Sequence, residues 1–531
     1  MMLDGWHFAL PELVIGLFAL IAPILALYDT DRAGMRTFTL IGLGGALLLT
    51  TLSLLNFEYK IPFINLNFNA HYIAAEGQPI NTFGTLSITY ASQLFKVLFL
   101  AVSFVAVLGI GRPLKGKAEE DWGEFCSLIL FATLGMMVVA SANELITLLL
   151  GIEIASLCSY ILAGFRRDAV GAEASLKYFT IGAISSGLLI FAISLIYGIA
   201  GTTQLYDMTA DGKVTQGIAS LIVQGGEFDA LILIPIVMLL AGLGFKISSV
   251  PFHAWAPDVY SGAPSPVAGL LAAGSKAMGF AAVFNVFVIG LVGVKSNWQM
   301  AVAAVAGASI LFGNLVALQQ NSIRRMLAYS SIAQAGYLLI AVAVGQSLFN
   351  PEQGEWALGG GIFHLMTNAA MKLGAFIIVG ALLWAGLPDT MDGWKGLGKR
   401  SPLFAFCMTL FLLSMAGLPP LGGFASKFVL FSSAVDASAN AGSGWLLWLA
   451  VIAVVGSAIS LFYYLRLIRA MVVEDGEPGR LDAPRGTTIA VLLCALAVVL
   501  MGVWPQPFLE ASVHAAKDML NFGATPVPGL P

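Results

Sequence analysis

The chain has 531 residues, of which 58% are hydrophobic and only 11% charged, and its net charge is −4. That balance excludes a soluble globular domain and a nucleic-acid partner, and it describes a polytopic membrane protein. Cys126, Cys158, Cys407 and Cys494 all lie in apolar runs, at spacings of neither a metal site nor a disulfide framework. They read as small core hydrophobes. Gly109-Ile110-Gly111 lacks the glycine and lysine that complete a phosphate cradle, so the expectation is no cofactor and no metal on this chain.

A bilayer is crossed by about 20 apolar residues in a helix. Such runs fall at 9–27, 37–56, 91–110, 124–141, 144–164, 174–199, 229–260, 264–292, 298–318, 326–346, 356–385, 402–437, 444–468 and 486–504. The expected fold class is therefore an all-α polytopic membrane protein with about 14 transmembrane helices. The amino terminus carries Asp4 and no Lys or Arg, so it lacks a signal-peptide basic region and the first run reads as a retained helix. The long polar connection at 57–90 alternates in Ile61–Phe68 and again in Thr85–Thr89, which suggests a β-hairpin cap.

Ionisable residues inside spans are expensive, so each asks for a partner or a function. Glu153 stands alone near the middle of span five, and Glu144 lies nine residues earlier near its end. For Glu144, simple interfacial exposure competes evenly with a relay role. Lys177 follows Glu173 by one turn, so a local ion pair competes evenly with a pathway role. Lys96 lies close to the end of its span and is expected to snorkel.

Span seven contains Gly242-Leu243-Gly244-Phe245-Lys246-Ile247-Ser248-Ser249-Val250-Pro251. Pro251 lacks an amide proton and its ring clashes with the carbonyl four residues back, so the helix must open there. Opened backbone is tolerated in a bilayer only beneath protein or beside water. A lysine next to such a break, Lys246, marks an ion or proton path. Lys276 of span eight is flanked by small residues that permit close helix contact. In span eleven His364, Asn368 and Lys372 recur every four residues as one polar stripe, which reads as a water wire or as a hydrogen-bonded seam.

Span twelve has its own break at Pro419, Pro420, Gly422 and Gly423, with Lys427 just beyond. The lysine precedes the break in span seven and follows it in span twelve, as an inverted repeat would produce. By position, Lys246 lies at the carboxyl end of a half-helix, which suits a cation. Lys427 lies at the amino end of one, which does not.

Basic residues orient the chain. Loops after odd-numbered spans, with Arg466 at the very end of span thirteen counted among them, hold 16 of the 26 Lys and Arg, loops after even-numbered spans and the tail hold 4, and the other 6 lie deeper within spans. Basic residues stay on the cytoplasmic side, so both termini are expected to be periplasmic in a bacterial inner membrane. The six within spans are Lys96, Lys177, Lys246, Lys276, Lys372 and Lys427, all lysine. Desolvated lysine can give up its proton, whereas arginine stays charged.

Residues 242–267, 321–339 and 417–428 together resemble the antiporter-like membrane subunits of NADH-quinone oxidoreductase, respiratory complex I, and among them the N type. A glutamate in place of Lys427 would suggest the M type, and the L type continues into a long lateral helix. The resemblance covers nearly the whole chain. It implies two inverted five-helix repeats, 124–292 and 293–470, between three amino-terminal helices (1–123) and a carboxyl-terminal span with its tail (471–531). It also implies that Glu153 pairs with Lys246, that Lys276 connects the halves, and that Lys427 is the lysine of the second broken helix. Gln334 departs from the histidine of many relatives, so the central relay is expected to run through His364, Lys372 and water. The implied function is proton translocation coupled to NADH oxidation and quinone reduction, with flavin, iron–sulfur clusters and quinone on partner subunits. The implied partners are the M-type and small K-type subunits and the lipid bilayer. Two rivals are a multi-subunit cation/proton antiporter and a non-transporting scaffold. The full set of buried lysines argues against the scaffold, since each costs stability.

Overall fold

The computed structural model describes residues 9–28, 32–55, 59–61, 66–68, 80–82, 85–110, 121–208, 214–215, 217–218, 229–345, 351–439, 444–476, 479, 481 and 483–523. Asp4, Gly111, the basic residues Arg112, Lys115 and Lys117, and Lys213 and Arg480 lie outside these residues.

Apolar runs too long to stay in water fold as helices close to the expected boundaries. Among the described residues, twelve helices are long and apolar enough to cross a membrane, from Leu10–Tyr28 (span one) to Arg485–Val503 (span fourteen). Two shorter apolar helices, Leu231–Ile247 and Pro402–Ala416, are the first halves of the two spans that contain proline breaks. Span seven runs as Asp229–Ile247 and then Trp255–Gly262, and span twelve as Pro402–Ala416 and then Gly422–Ser438. At the first break Ser248 takes a left-handed φ of 59°. At the second, Gly417 does so at 88°. A Cβ on Gly423 would stand 1.8 Å from the Ser414 carbonyl, so only glycine lets the two halves of span twelve meet this closely.

Burial sorts the spans into layers. In spans eight (Ser265–Gly290) and ten (Ile323–Val344), 94% of the apolar window is buried, against 28% in spans one and two. Spans eight and ten are thus the core. Spans one, six (Ala169–Ala200) and thirteen (Leu446–Val472) expose rows of large apolar side chains such as Leu17, Ile184 and Phe462, a surface suited to lipid or apolar protein. Span eight is not a plain α-helix: π-helical turns at Leu271–Ser275 and Phe284–Gly290 flank the α-helical stretch Lys276–Val283.

The polar connection at 57–90 differs from the single hairpin expected. Tyr59–Ile61 pairs antiparallel with Leu66–Phe68, and Ile80–Thr82 with Leu86–Ile88. Ile61 and Leu66–Phe68 of that alternation therefore lie in two short strands that pair with each other. After span fourteen an amphipathic helix, Gln506–Gly523, turns back onto spans three (Tyr90–Gly109) and eleven (Pro351–Trp384). The four cysteines are free; three are buried and Cys158 is partly so.

Candidate functional site

In the first half, span five (Leu145–Ala163) presents Glu153, Ser156 and Tyr160 on one face, at i, i+3 and i+7. Lys246, in the last turn before the break, donates to Ser156 Oγ at 2.7 Å and to the Tyr160 hydroxyl at 3.2 Å. Its ammonium also lies 5.7 Å from the Tyr160 ring centroid and 5.2 Å from that of Phe245. Glu153 Oε1 accepts from Ser186 of span six at 2.5 Å. Glu153 and Lys246 make no direct ion pair; Lys246 reaches, through Ser156 and Tyr160, the face of span five that also carries Glu153.

Glu144 is the N-cap of span five. Its carboxylate accepts from the Thr147 amide at 2.8 Å, the Thr147 hydroxyl at 2.7 Å and the Thr203 hydroxyl at 2.7 Å. Lys177 does pair with Glu173, at 2.7 Å, and also with Asp258 of the second half of span seven, at 2.9 Å. Asp258 further engages Arg325 at 3.0 Å.

The second half is organised by span ten. Its Leu327, Ser330, Ser331 and Gln334 fall at i, i+3, i+4 and i+7, so they form one face. Lys276 donates to the Ser331 carbonyl at 3.0 Å and to the Ile247 carbonyl at 2.8 Å, at the carboxyl end of the first broken half-helix. Lys372 donates to the Leu327 carbonyl at 2.9 Å and to Ser330 Oγ at 2.7 Å, and Ser330 meets the Tyr464 hydroxyl. His364 lies between Gln334 Oε1 (Nε2, 2.8 Å) and Ser426 Oγ (Nδ1, 2.8 Å). Gln334 Nε2 donates to the Met415 carbonyl at 3.4 Å. Lys427 donates to that same carbonyl at 2.7 Å and to Ser457 Oγ at 3.0 Å, above the Tyr337 ring at 4.6 Å. Lys276, Lys372, His364 and Lys427 thus converge on one face of one helix. The stripe of span eleven splits: His364 and Lys372 each find protein partners, while the buried Asn368 Oδ1 has none.

Three expectations need correction. Lys96 does not snorkel; it is fully buried and pairs with Glu12 of span one at 2.6 Å. Proximity to a helix end says nothing of a carboxylate waiting on another span. Lys427 is not set against amide groups, because side chains lean toward the amino end of their helix. Its ammonium therefore reaches back over the break to the carbonyl end of the preceding half-helix, where a cation is favoured. Gln334 is not bypassed: it hydrogen-bonds His364 directly.

The sequence reading missed the polar face of span ten, Tyr464, Asp258 and Glu12. Span ten carried a signal, since Ser330, Ser331 and Gln334 repeat at helical spacing in an otherwise apolar run. The others are joined only through long-range contacts.

Among the described residues, no carboxylate lies within 4.0 Å of Lys246, Lys276, Lys372 or Lys427. Nor do the described residues contain a group of three or more His, Cys, Asp or Glu able to hold a metal. Hydroxyls, an imidazole and lysine ammoniums can pass protons, and the carbonyls beside them accept hydrogen bonds.

Residues 142–460 match the family described as "NADH:quinone oxidoreductase/Mrp antiporter, TM". F(420)H(2) dehydrogenase subunit N of Methanosarcina mazei is 42% identical over 450 residues, 82% of this chain and 86% of that protein. NADH-quinone oxidoreductase subunit N of Desulforamulus reducens is 35% identical over 521 residues, 97% of this chain and 99% of that protein. A chain of respiratory complex I from Thermus thermophilus superposes with a TM-score of 0.73 at 30% identity, covering 94% of this chain and 98% of that one.

Proposed function

Because this chain belongs to the NADH:quinone oxidoreductase/Mrp antiporter transmembrane family, we propose that it is the N-type proton-translocating subunit in the membrane arm of an NADH-quinone oxidoreductase. The observation that carries this reading is the convergence of Lys276, Lys372, His364 and Lys427 on span ten. Three buried ammonium sites in succession, without carboxylates beside them, cannot all keep protons at low cost. Arrival of a proton at one displaces a proton from the next.

Glu153 and Lys246 form the entrance to this series. While Glu153 is ionised, its charge on the span-five face that Lys246 reaches holds the proton on Lys246. When that interaction weakens, the proton passes towards Lys276, and from there along span ten to Lys427. Moving one charge across the membrane costs about 2.3 kcal/mol per 100 mV. Electron transfer in partner subunits, which carry flavin, iron–sulfur clusters and quinone, supplies the drive. The M-type and K-type subunits are the neighbours in the membrane arm. Glu144 and Lys177, held in a cap and an ion-pair network, act as outlying relay groups. Pro251, Pro419 and Pro420 keep the two half-helix ends open to the lysines.

Residues 124–292 and 293–470 are two inverted repeats in this reading. The reversed order of lysine and break in spans seven and twelve supports that division. Both termini face the periplasm, as the uneven distribution of basic residues indicates.

The second reading, a subunit of a multi-subunit cation/proton antiporter, draws on the other half of the family's description. Purification of the assembled complex through this chain separates the two. Flavin and iron–sulfur absorbance in the preparation, with quinone reductase activity, is the expected result. A complex without redox centres that exchanges cations for protons would replace the first reading with the second.

A further inference from the structure

A small cavity of about 20 Å³, open to the centre of a water molecule, lies where the end of span four (Trp122–Ser141), the start of span three and the second π segment of span eight meet. That is room for one ordered water. Its polar lining comes from Ser87, Thr89, Ser92, Ser141, Tyr206 and Asn285, and Met519 of the carboxyl-terminal helix covers it. Ser141 is 1% exposed, yet its Oγ has no hydrogen-bond partner. A buried hydroxyl facing a polar cavity without a partner points to bound water. Asn285 is anchored by donating to the Val139 carbonyl at 3.3 Å.

Two further features place this cavity on the helix that carries Lys276 and close to the surface. Lys276 and Asn285 belong to one helix, nine residues and about 13 Å apart. Lys276 directly follows the first π segment, and Asn285 lies in the second. π turns leave the regular ladder incomplete and cluster at functional positions. On the other side, Asp518 of the carboxyl-terminal helix accepts from the Ala91 amide at 3.2 Å and bonds the Thr89 side chain, both at the cavity wall. Burial pushes the Asp518 carboxyl above its ordinary range, while the amides and His514 beside it oppose that shift. The next residue on its open side, His514, is exposed and packs edge-on against Tyr90 at 4.4 Å.

We infer that this cavity is a water-filled proton port at the periplasmic end of span eight, with Asn285 and Ser141 holding the water and Asp518 exchanging the proton with bulk solvent. The inference rests on the proton-translocating reading above and assigns it an exit. In this branch, beside the one along span ten, a proton that reaches the bound water from the Lys276 end of span eight passes to the Asp518 carboxylate, and Asp518 releases it past His514. No bond other than to hydrogen changes.

The test measures protons pumped per electron in proteoliposomes of the assembled complex, with Lys276→Ala as reference and flavin content as the measure of assembly. Asn285→Leu and Asp518→Asn are each expected to lower the ratio at least twofold, and Asp518→Glu to restore it. Ser141→Val, which replaces the hydroxyl by two methyl groups and so fills the cavity, serves if Asn285→Leu does not assemble, and it is expected to act alike. Unchanged ratios in the port variants, with loss in Lys276→Ala, would overturn the port and leave the proton-translocating reading intact. Unchanged ratios in all of them would overturn both.

Discussion

The Lys427 ammonium donates to the carbonyl oxygen of Met415 at 2.7 Å, across the break that separates their two half-helices. The carbonyls at the end of a helix have no partner within it, so a cation that closes the break has two tasks. It caps the half-helix, and under the proposed function it also stores a proton. Lys276 does the same at Ile247, at the end of the first broken half-helix. Each break thus has a lysine whose departure as a charged group leaves a carbonyl to be satisfied by water.

Gln334 joins His364 to the Met415 carbonyl that Lys427 also uses. Gln334→Leu leaves a buried imidazole nitrogen without a partner, a loss of about 1–3 kcal/mol. Proton pumping coupled to quinone reduction is expected to fall roughly tenfold, since about 1.4 kcal/mol is a factor of ten. Gln334→His should retain most of it. Vesicle acidification driven by NADH distinguishes the two variants, and equal rates in wild type and Gln334→Leu would remove Gln334 from the series.

Glu12 and Lys96 form a buried pair between spans one and three. Removing one partner strands a charge, at a cost of about 3–5 kcal/mol, whereas replacing both by apolar groups is close to neutral. Lys96→Met alone is expected to lower the amount of assembled complex sharply. Glu12→Leu combined with Lys96→Met should recover it. A double variant as poor as the single one would show that the pair matters for more than neutralisation.

Orientation is open to direct measurement. Lys399 of the segment 388–400 is exposed and paired with Asp475 at 2.6 Å. On a background without the four native cysteines, Lys399→Cys should be protected from an impermeant thiol reagent added to the periplasmic face. A cysteine in the 57–90 connection should react. The reverse pattern would invert the topology.

Lys246 bonds Ser156 on the face of span five that carries Glu153, and Glu153 in turn accepts from Ser186. Glu153→Ala and Lys246→Ala are each expected to reduce pumping strongly while assembly survives. Their combination should cost much less than the sum, because residues that act as a unit are not additive. Additive losses in the rate of pumping would separate the two.

The spans and both breaks were legible because a 20-residue apolar run and an internal proline are local signals. The lysines were legible because a charge stands out against hydrocarbon. Their partners were not. Ser156, Ser330 and Tyr464 are nearly neutral on any hydropathy count; the two serines meet their lysines from distant parts of the chain, and Tyr464 meets Ser330 in the same way. Lys96 reads as interfacial until Glu12 is seen beside it. The position of Lys427 misled for a different reason: its backbone lies in one half-helix and its ammonium on the other, and only side-chain direction resolves that.

The central claim is that these lysines exchange protons and do not serve as fixed counter-charges. Lys427→Arg tests it most directly, since guanidinium keeps its charge up to pH above about 12 and can still cap the Met415 carbonyl. In proteoliposomes of the assembled complex, NADH-driven proton pumping is expected to fall nearly as far in Lys427→Arg as in Lys427→Ala. Near-normal pumping in the arginine variant would contradict the account and return Lys427 to a capping role.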